Sequence, residues 1–407
     1  MGGPDNTITS RQSLTLDLPP SCIEFCLSHP AYFVVGTYNL VKDEPRDTES
    51  EDTNVSTTKK PQNRNGSLIV FQLEKGAIRH VQTISHPSAI LDLHFCPVSS
   101  RQDVLAVVSS TGTLSVFKLD PTTDSEKPLK HLATSRIPET PEGALFLSGV
   151  WSPSDPASLA ITTSTGEVRV VQLDESWKIV DDGAEAIITH SLEAWTVAFS
   201  PHEEDKGQAD STSSFVVYSG GDDSALRYAS CTKDKAGNHE TISTVTTQYP
   251  PLNIRDHGAG VTAILPVPIR LADGSMIVVT GSYDDTIRVL SVQHPHETYG
   301  IRKFKRLADE NLGGGVWRLK LIDLQEEDGQ CRLRVLASCM HAGARVVELK
   351  GPIEGGEWEI NVLGRFEEHQ SMNYGSDLVP GPAEGHLVCV STSFYDQLLC
   401  LWETPLS

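Results

Sequence analysis

The stretch "LASCMHAGARVVEL", residues 336–349, sets His341 in a short polar turn between two apolar runs. An imidazole titrates near neutrality, so a histidine at a turn can take up and return a proton at working pH. The plainer reading is an imidazole that stabilises its own turn. A second feature lies upstream in "GGGVWRLK", residues 313–320. Gly313, Gly314 and Gly315 have no side chains to shield their N–H groups, which suits them to a developing oxyanion. A flexible connection would use the same residues. Ser338 and Cys339 are poorer candidates for a nucleophile, because both lie within the preceding run and alternate between its faces. The sequence has no G-x-S-x-G elbow, no H-E-x-x-H, no phosphate-binding loop and no dinucleotide fingerprint before a helix. Any hydrolysis would therefore need an unconventional site.

The elements that must position these residues repeat along the chain. Seven alternating runs each follow a polar tight turn: "SLIVFQL" at 67, "TLSVFKL" at 113, "EVRVVQL" at 167, "ALRYAS" at 225, "TIRVLSV" at 286, "ARVVELK" at 344 and "QLLCLWE" at 397. Each has an apolar partner run before it, such as "YFVVGT" or "IVVTGS", and another apolar strand before that. Fourth strands are expected at "IRHVQTI", "KHLATSR", "WKIVDD", "TISTVTT", "KFKRLAD" and "EINVLGRF". The spacing is close to the period of four-stranded propeller blades. The seventh set lacks a fourth strand, which the N-terminal "LTLDLP" can supply, closing the ring and removing exposed edges. The expected fold is all-β: one seven-bladed WD40-type β-propeller spanning residues 1–407, closed by pairing of the N-terminal strand with the last blade. Residues 41–66 read as a disordered insertion in blade one, with shorter insertions at 120–130 and 201–213.

The repeats resemble the WD-repeat family most clearly in "TGSYDDTIRVLS" (280–291), "SGGDDSALRYAS" (219–230) and "TSFYDQLLCLWE" (392–403). In such a propeller, the turns between second and third strands share a face with the loops between blades. That rule gathers Asp222, Asp223, Tyr283, Asp284, His341, Tyr395 and Asp396 with His190, Glu193, Trp195, His257, Gly313 to Trp317 and His369. Asp223 with His190, and Asp284 with His257, are expected to serve the hydrogen-bond networks that fix such blades. Asp396 reads similarly, although His369 looks too distant in its loop to be its mate. His341 differs, because it cannot supply that network's fixed negative charge.

Composition sets outer bounds. With 54 acidic and 33 basic side chains, the net charge of −21 disfavours a general nucleic-acid binder. No apolar run approaches the roughly 20 residues needed to cross a bilayer, and no secretory signal is visible. The eight cysteines sit mostly in apolar runs and read as reduced core residues. No metal site and no cofactor is expected.

Taken in order, "SLEAWTVAFS", "VYSGGDD", "VTGSYDDTIRVL", "GGGVWRLK", "ASCMHAGARV", "YGSD" and "TSFYDQLLCLW" resemble the WD-repeat diphthine methyl ester hydrolases of diphthamide biosynthesis. The likeness covers about residues 190–403, and Leu378 stands where that pattern would carry Trp. It implies hydrolysis of the methyl ester on the modified histidine of elongation factor 2, giving diphthine. Together with that substrate, the reduced cysteines and missing signals lead to the expectation of a cytoplasmic protein; its charge and apolar runs, of one that touches neither nucleic acid nor membrane; and its closed ring, which needs no partner to satisfy its edges, of a monomer. The implied catalytic set is His341 as general base, Asp284 as the orienting rim carboxylate, and Gly314 within the oxyanion site. Trp195, Tyr283, Trp317 and Tyr395 would hold the substrate's trimethylammonium group by cation–π attraction. Glu193, Asp222 and Asp396 would add Coulombic attraction, and Arg318 completes the expected substrate-binding set. The competing class is a non-catalytic WD-repeat scaffold, which would bind partners without changing them.

Overall fold

Runs of β-branched and aromatic residues between tight polar turns form antiparallel ladders, each leaving both faces apolar and in need of cover. Those ladders are arranged as seven sheets among the described residues of a computed structural model. The structure describes residues 6–40, 64–138, 140–180, 185–201, 212–234, 245–293, 304–381 and 385–406. Their first strands are Pro20–Phe25, Ile90–Phe95, Phe146–Trp151, Ala194–Phe199, Val261–Arg270, Arg318–Glu327 and Gly375–Leu378. Each packs on the next, and the last packs on the first, so the sheets are the blades of a closed seven-bladed β-propeller. The third strand of every blade falls on the run expected for it.

The core lies between blades. Val279, Val289 and Ile277 of blade five pack against Val335, Val347 and Leu349 of blade six. Phe33 and Phe71 of blade one meet Val390 and Leu401 of blade seven, and Phe366 stacks on Trp402 at 5.3 Å between blades six and seven. Each fully buried aliphatic or aromatic side chain contributes roughly 1.5–3 kcal/mol, so every blade depends on both neighbours. All eight cysteines are buried.

Closure uses the N-terminus, but upstream of the expected run. Ser10–Thr15 pairs antiparallel with Leu398–Pro405 in blade seven, and Thr7–Ile8 pairs parallel with Arg365 and Phe366 of blade six. The strand is largely polar, and its residues alternate between half-buried and exposed, so an apolar search settles too far downstream. Blade three also differs from expectation. Its fourth strand is Ile188–Thr189, whereas "WKIVDD" begins in a turn where Asp174 accepts from the N–H groups of Ser176 and Lys178 and Trp177 adopts φ 66°. Ile179 contributes only an isolated bridge to Leu173.

In blade four, the fourth-strand position is shared by Val245–Thr247 and Leu252–Ile254. Of the expected insertions, residues 41–63 and 202–211 lie outside the described residues. Arg64, Asn65 and Gly66 already belong to the strand Arg64–Glu74, and Asn39–Leu40 pairs with its start. Leu129 and Lys130 likewise open a strand rather than ending a loop. Leu378 ends the first strand of blade seven and packs between blades six and seven.

Candidate functional site

Backbone hydrogen bonds join the second-to-third turns to the inter-blade loops on one rim. The N–H of Asp222 donates to Glu193 O at 2.8 Å, that of Tyr283 to Gly260 O at 2.9 Å, and that of Val316 to Ser282 O at 2.9 Å. Spacing along the chain thus becomes proximity in space.

His341 occupies an exposed position in a tight turn, 339–343. Cys339 and Gly343 close it by a bond of 2.8 Å, the Ala342 N–H donates to Cys339 O at 2.8 Å, and Met340 and Gly343 take φ values of 43° and 78°. The turn is gripped on both sides. Asn373 of the following loop donates its N–H to Met340 O at 3.0 Å. On the other side stands the triple glycine. A Cβ on Gly314 would lie 2.3 Å from Cys339 O and 2.9 Å from Ala342 Cβ, and one on Gly315 would lie 2.6 Å from Met340 Sδ. Gly314 is therefore required by contact with the backbone of the His341 turn, while Gly313 meets it only at 3.9 Å and takes φ 86°, which sharpens the flexible-connection reading. Asn311 Oδ1 accepts from Gly313 N–H at 2.8 Å, whereas the N–H groups of Gly314 and Gly315 have no acceptor among the described residues. His341 itself makes no side-chain hydrogen bond or ion pair among them.

Beside this turn three rings meet. Trp195 and Trp317 have centroids 5.6 Å apart, Tyr283 and Trp317 5.8 Å, and Trp195 and Tyr283 6.4 Å, with mutual tilts of 60°, 49° and 85°. They form a packed, half-buried ledge. Trp195 Nε1 donates to Asp222 Oδ1 at 3.3 Å. Burial raises the Tyr283 hydroxyl pKa above its ordinary value, reinforced by Tyr374, Asp222 and Glu193, so the phenol stays neutral among carboxylates. The ledge continues through residues that sequence reasoning missed: Trp317 to Tyr374 at 5.0 Å, Tyr374 to Phe394 at 5.4 Å, and Phe394 to Tyr395 at 5.0 Å. Among the described residues Tyr395 joins the ledge through those two, and it is 69% exposed.

Asp223, Asp284 and Asp396 are already engaged. Asp223 accepts from His190 Nδ1 at 2.9 Å and Arg227 Nη1 at 2.6 Å, and His190 reaches Ser219 at 3.0 Å. Asp284 binds Arg288 through both oxygens, at 3.0 and 2.7 Å, and accepts from Gly258 N–H at 2.6 Å. Burial opposes ionisation of Asp284, but Arg288 and the Gly258 N–H hold its pKa down at about 2. His257 does not bond to it directly and instead meets Thr280 at 2.9 Å. Asp396 accepts from Ser371 Oγ at 2.6 Å and Gln370 N–H at 3.0 Å. His369 completes a separate chain through Ser391 to Trp402, at 2.8 and 2.9 Å. No carboxylate bonds to His341 among the described residues.

Arg318 departs from its expected place among the rim groups. It opens the first strand of blade six and crosses the channel to Asp92 of blade two, with Nη2 2.7 Å from Oδ1. Asp92 also accepts from Ser148 Oγ at 2.8 Å and faces His94 Nε2 at 3.3 Å. Two positions on, Lys320 contacts Glu24 of blade one and Asp377 of blade seven, each at 3.0 Å. Burial would lower the His94 pKa, but Asp92 and Glu24 outweigh it and raise it to about 10. The sequence signal for this network is a charged residue inside the first strands of blades one, two and six, as in "IEF", "LDLHF" and "RLK". Among the described residues, no group of three or more His, Cys, Asp or Glu side chains could hold a metal ion.

The diphthine methyltransferase of Schizosaccharomyces pombe is 28% identical over 95% of this chain and 95% of its own length. That of Homo sapiens is 26% identical over 90% of this chain and 74% of its own. Over nearly its whole length the chain is similar to diphthine methyltransferases, at 23–28% identity. No family profile matches it. Among solved structures, Sqt1 of Saccharomyces cerevisiae aligns with a TM-score of 0.54 at 10% identity, covering 98% of this chain and all of that one, a likeness of fold alone. The likeness to diphthine methyltransferases covers 95% of the chain, blades one to three included.

Proposed function

We propose that the protein is a carboxylic ester hydrolase that removes the methyl ester from methylated diphthine on elongation factor 2, giving diphthine. The observation that carries this reading is the packing of the triple glycine against the His341 turn, next to an aromatic ledge, in a chain alike over nine-tenths of its length to diphthine methyltransferases. The relatives' name speaks of methyl transfer, and in this reading the ester's acyl group passes to water.

His341 is the general base. It takes a proton from water as the water oxygen attacks the ester carbonyl carbon. The N–H groups of Gly314 and Gly315 meet the oxyanion. The tetrahedral centre then expels methoxide, which recovers the proton from His341 as methanol, and the carboxylic acid left behind releases its own proton to solvent to give the carboxylate. A positioned base supplies ~10²–10⁴-fold, and an oxyanion donor about 10²–10³-fold. Together these suffice for a methyl ester, which is more reactive than an amide. Asp284 is bound to Arg288 and Gly258, so it contributes field at a distance rather than orienting the imidazole. The substrate's trimethylammonium group lies on Trp195, Tyr283 and Trp317, where cation–π attraction is worth about 1–2 kcal/mol, with Glu193 and Asp222 adding charge. Tyr395 and Asp396 extend the same surface towards the protein substrate. The protein acts as a monomer in the cytoplasm.

The test is the intact mass of elongation factor 2 bearing methylated diphthine, incubated with wild type or His341→Ala, with methanol assayed alongside. Loss of one methylene with methanol release, by wild type only, is the expected result. A mass gain that requires an added methyl donor would make the protein a methyl transferase in the literal sense. Binding without any mass change would make it a scaffold.

A further inference from the structure

The channel holds a second space away from the rim. A cavity of about 400 Å³ is lined by first strands of blades three, four and five, and it reaches Pro153, Pro201 and Pro268. Those first strands begin at the rim loops, and Pro153 and Pro201 lie beyond their far ends, so the cavity extends towards the opposite face. His94, Arg318 and Leu319 form a wall that it shares with a smaller space of about 60 Å³ beside Tyr374.

The cavity is polarised. Val150, Phe199, Ile264 and Leu265 make most of its wall apolar, and His94 and Arg318 stand together at one side. The carboxylates that balance those cations, Glu24 and Asp92, do not line it and sit behind them. Only Nη2 of Arg318 is engaged, by Asp92. The guanidinium has further N–H donors in a planar fork, and Nε and Nη1 make no bond among the described residues. In a chain of net charge −21, this is a cationic spot enclosed by apolar surface. Its size falls within the range of small-molecule sites.

We propose that this cavity binds a small organic carboxylate, with the carboxylate on Arg318 and His94 and an apolar body against Val150, Phe199, Ile264 and Leu265. Guanidinium donors in a fork match a carboxylate's two oxygens. The cavity wall is continuous with the layer tying blade six to blade two, so an occupant would also brace the channel. The proposal is independent of the ester chemistry at the rim.

The experiment is saturation-transfer NMR on the full chain with octanoate, and with octanol as the uncharged probe of the same length. Octanoate is expected to bind and octanol not to. Arg318→Gln, which keeps a donor for Asp92, should weaken octanoate binding at least about tenfold. Ile264→Trp, which fills the apolar part, should abolish it. Urea unfolding reports whether each variant is folded, and the octanoate-to-octanol comparison needs no variant. Equal binding of the two probes, octanoate binding that survives Ile264→Trp in folded protein, or no octanoate binding at all would each overturn the proposal.

Discussion

The carbonyl oxygen of Cys339 stands 2.3 Å from the point a Cβ on Gly314 would occupy. The loop entering blade six and the turn bearing His341 are therefore fitted to each other through their backbones. Adding one methyl group must push them apart, because a backbone carbonyl cannot swing aside as a side chain does. Gly314→Ala is expected to lower ester turnover by about 10²-fold, the worth of one oxyanion donor, while the circular dichroism spectrum stays that of the wild type. Unchanged turnover in a folded Gly314→Ala protein would separate the glycines from the chemistry.

The aromatic ledge leads to a prediction about the substrate's charge. Trp317 touches Trp195, Tyr283 and Tyr374, so removing its ring opens the centre of the ledge. Trp317→Ala should raise KM about tenfold, the equivalent of ~1.4 kcal/mol of cation–π attraction, and Trp317→Phe should restore part of the loss. A modified substrate with a tert-butyl group in place of trimethylammonium distinguishes binding from mere packing. Its KM should be insensitive to the substitution if the ring acts on charge.

Much of the framework was legible in sequence because its signals are local. A third strand such as "TIRVLSV" alternates and follows a tight turn, so both its existence and its register can be read. The rim set was legible for the same reason, since turns and loops at fixed offsets must share a face. What escaped depends on partners distant in sequence. Ser10–Thr15 is polar and becomes a strand only because Leu398–Pro405 offers an edge. Arg318 follows the rim residue Trp317, yet it points to Asp92, 226 positions away, and nothing near it announces that partner. Tyr374 and Phe394 carry no local signal either, and their role as the link between Trp317 and Tyr395 emerges only when blades six and seven are side by side.

Asp92 is the natural place to test the channel layer. It is 1% exposed and gathers Arg318, His94 and Ser148 from three blades. Burial raises the cost of its charge, and Arg318 and His94 more than offset that, holding its pKa below the usual carboxylate range. Asp92→Asn keeps the shape and leaves those cations without their counter-charge. A loss of about 3 kcal/mol is expected, as for breaking one side of a buried ion pair, measured as a lower urea midpoint at unchanged slope. A loss within a few tenths would mean that the layer is solvated and does not tie blade six to blade two.

Acid should destabilise the protein through a buried histidine of blade seven. His369 is 6% exposed, donates to or accepts from Ser391 through Nε2, and leaves Nδ1 without a partner among the described residues. Burial lowers its pKa to about 4, against the opposing pull of Asp396 and Glu368. Below its ordinary value near 6.5 the unfolded chain takes up a proton that the folded chain refuses, so stability falls as pH drops from about 6.5 towards 4 and this contribution levels off below that. The loss from this one group is on the order of 2–3 kcal/mol by pH 4. Urea unfolding of wild type and His369→Gln across this window checks it. The variant should be less stable at neutral pH if it disturbs Ser391 and Trp402, but its stability should fall less steeply with acid. Parallel curves would show that His369 does not carry the acid sensitivity.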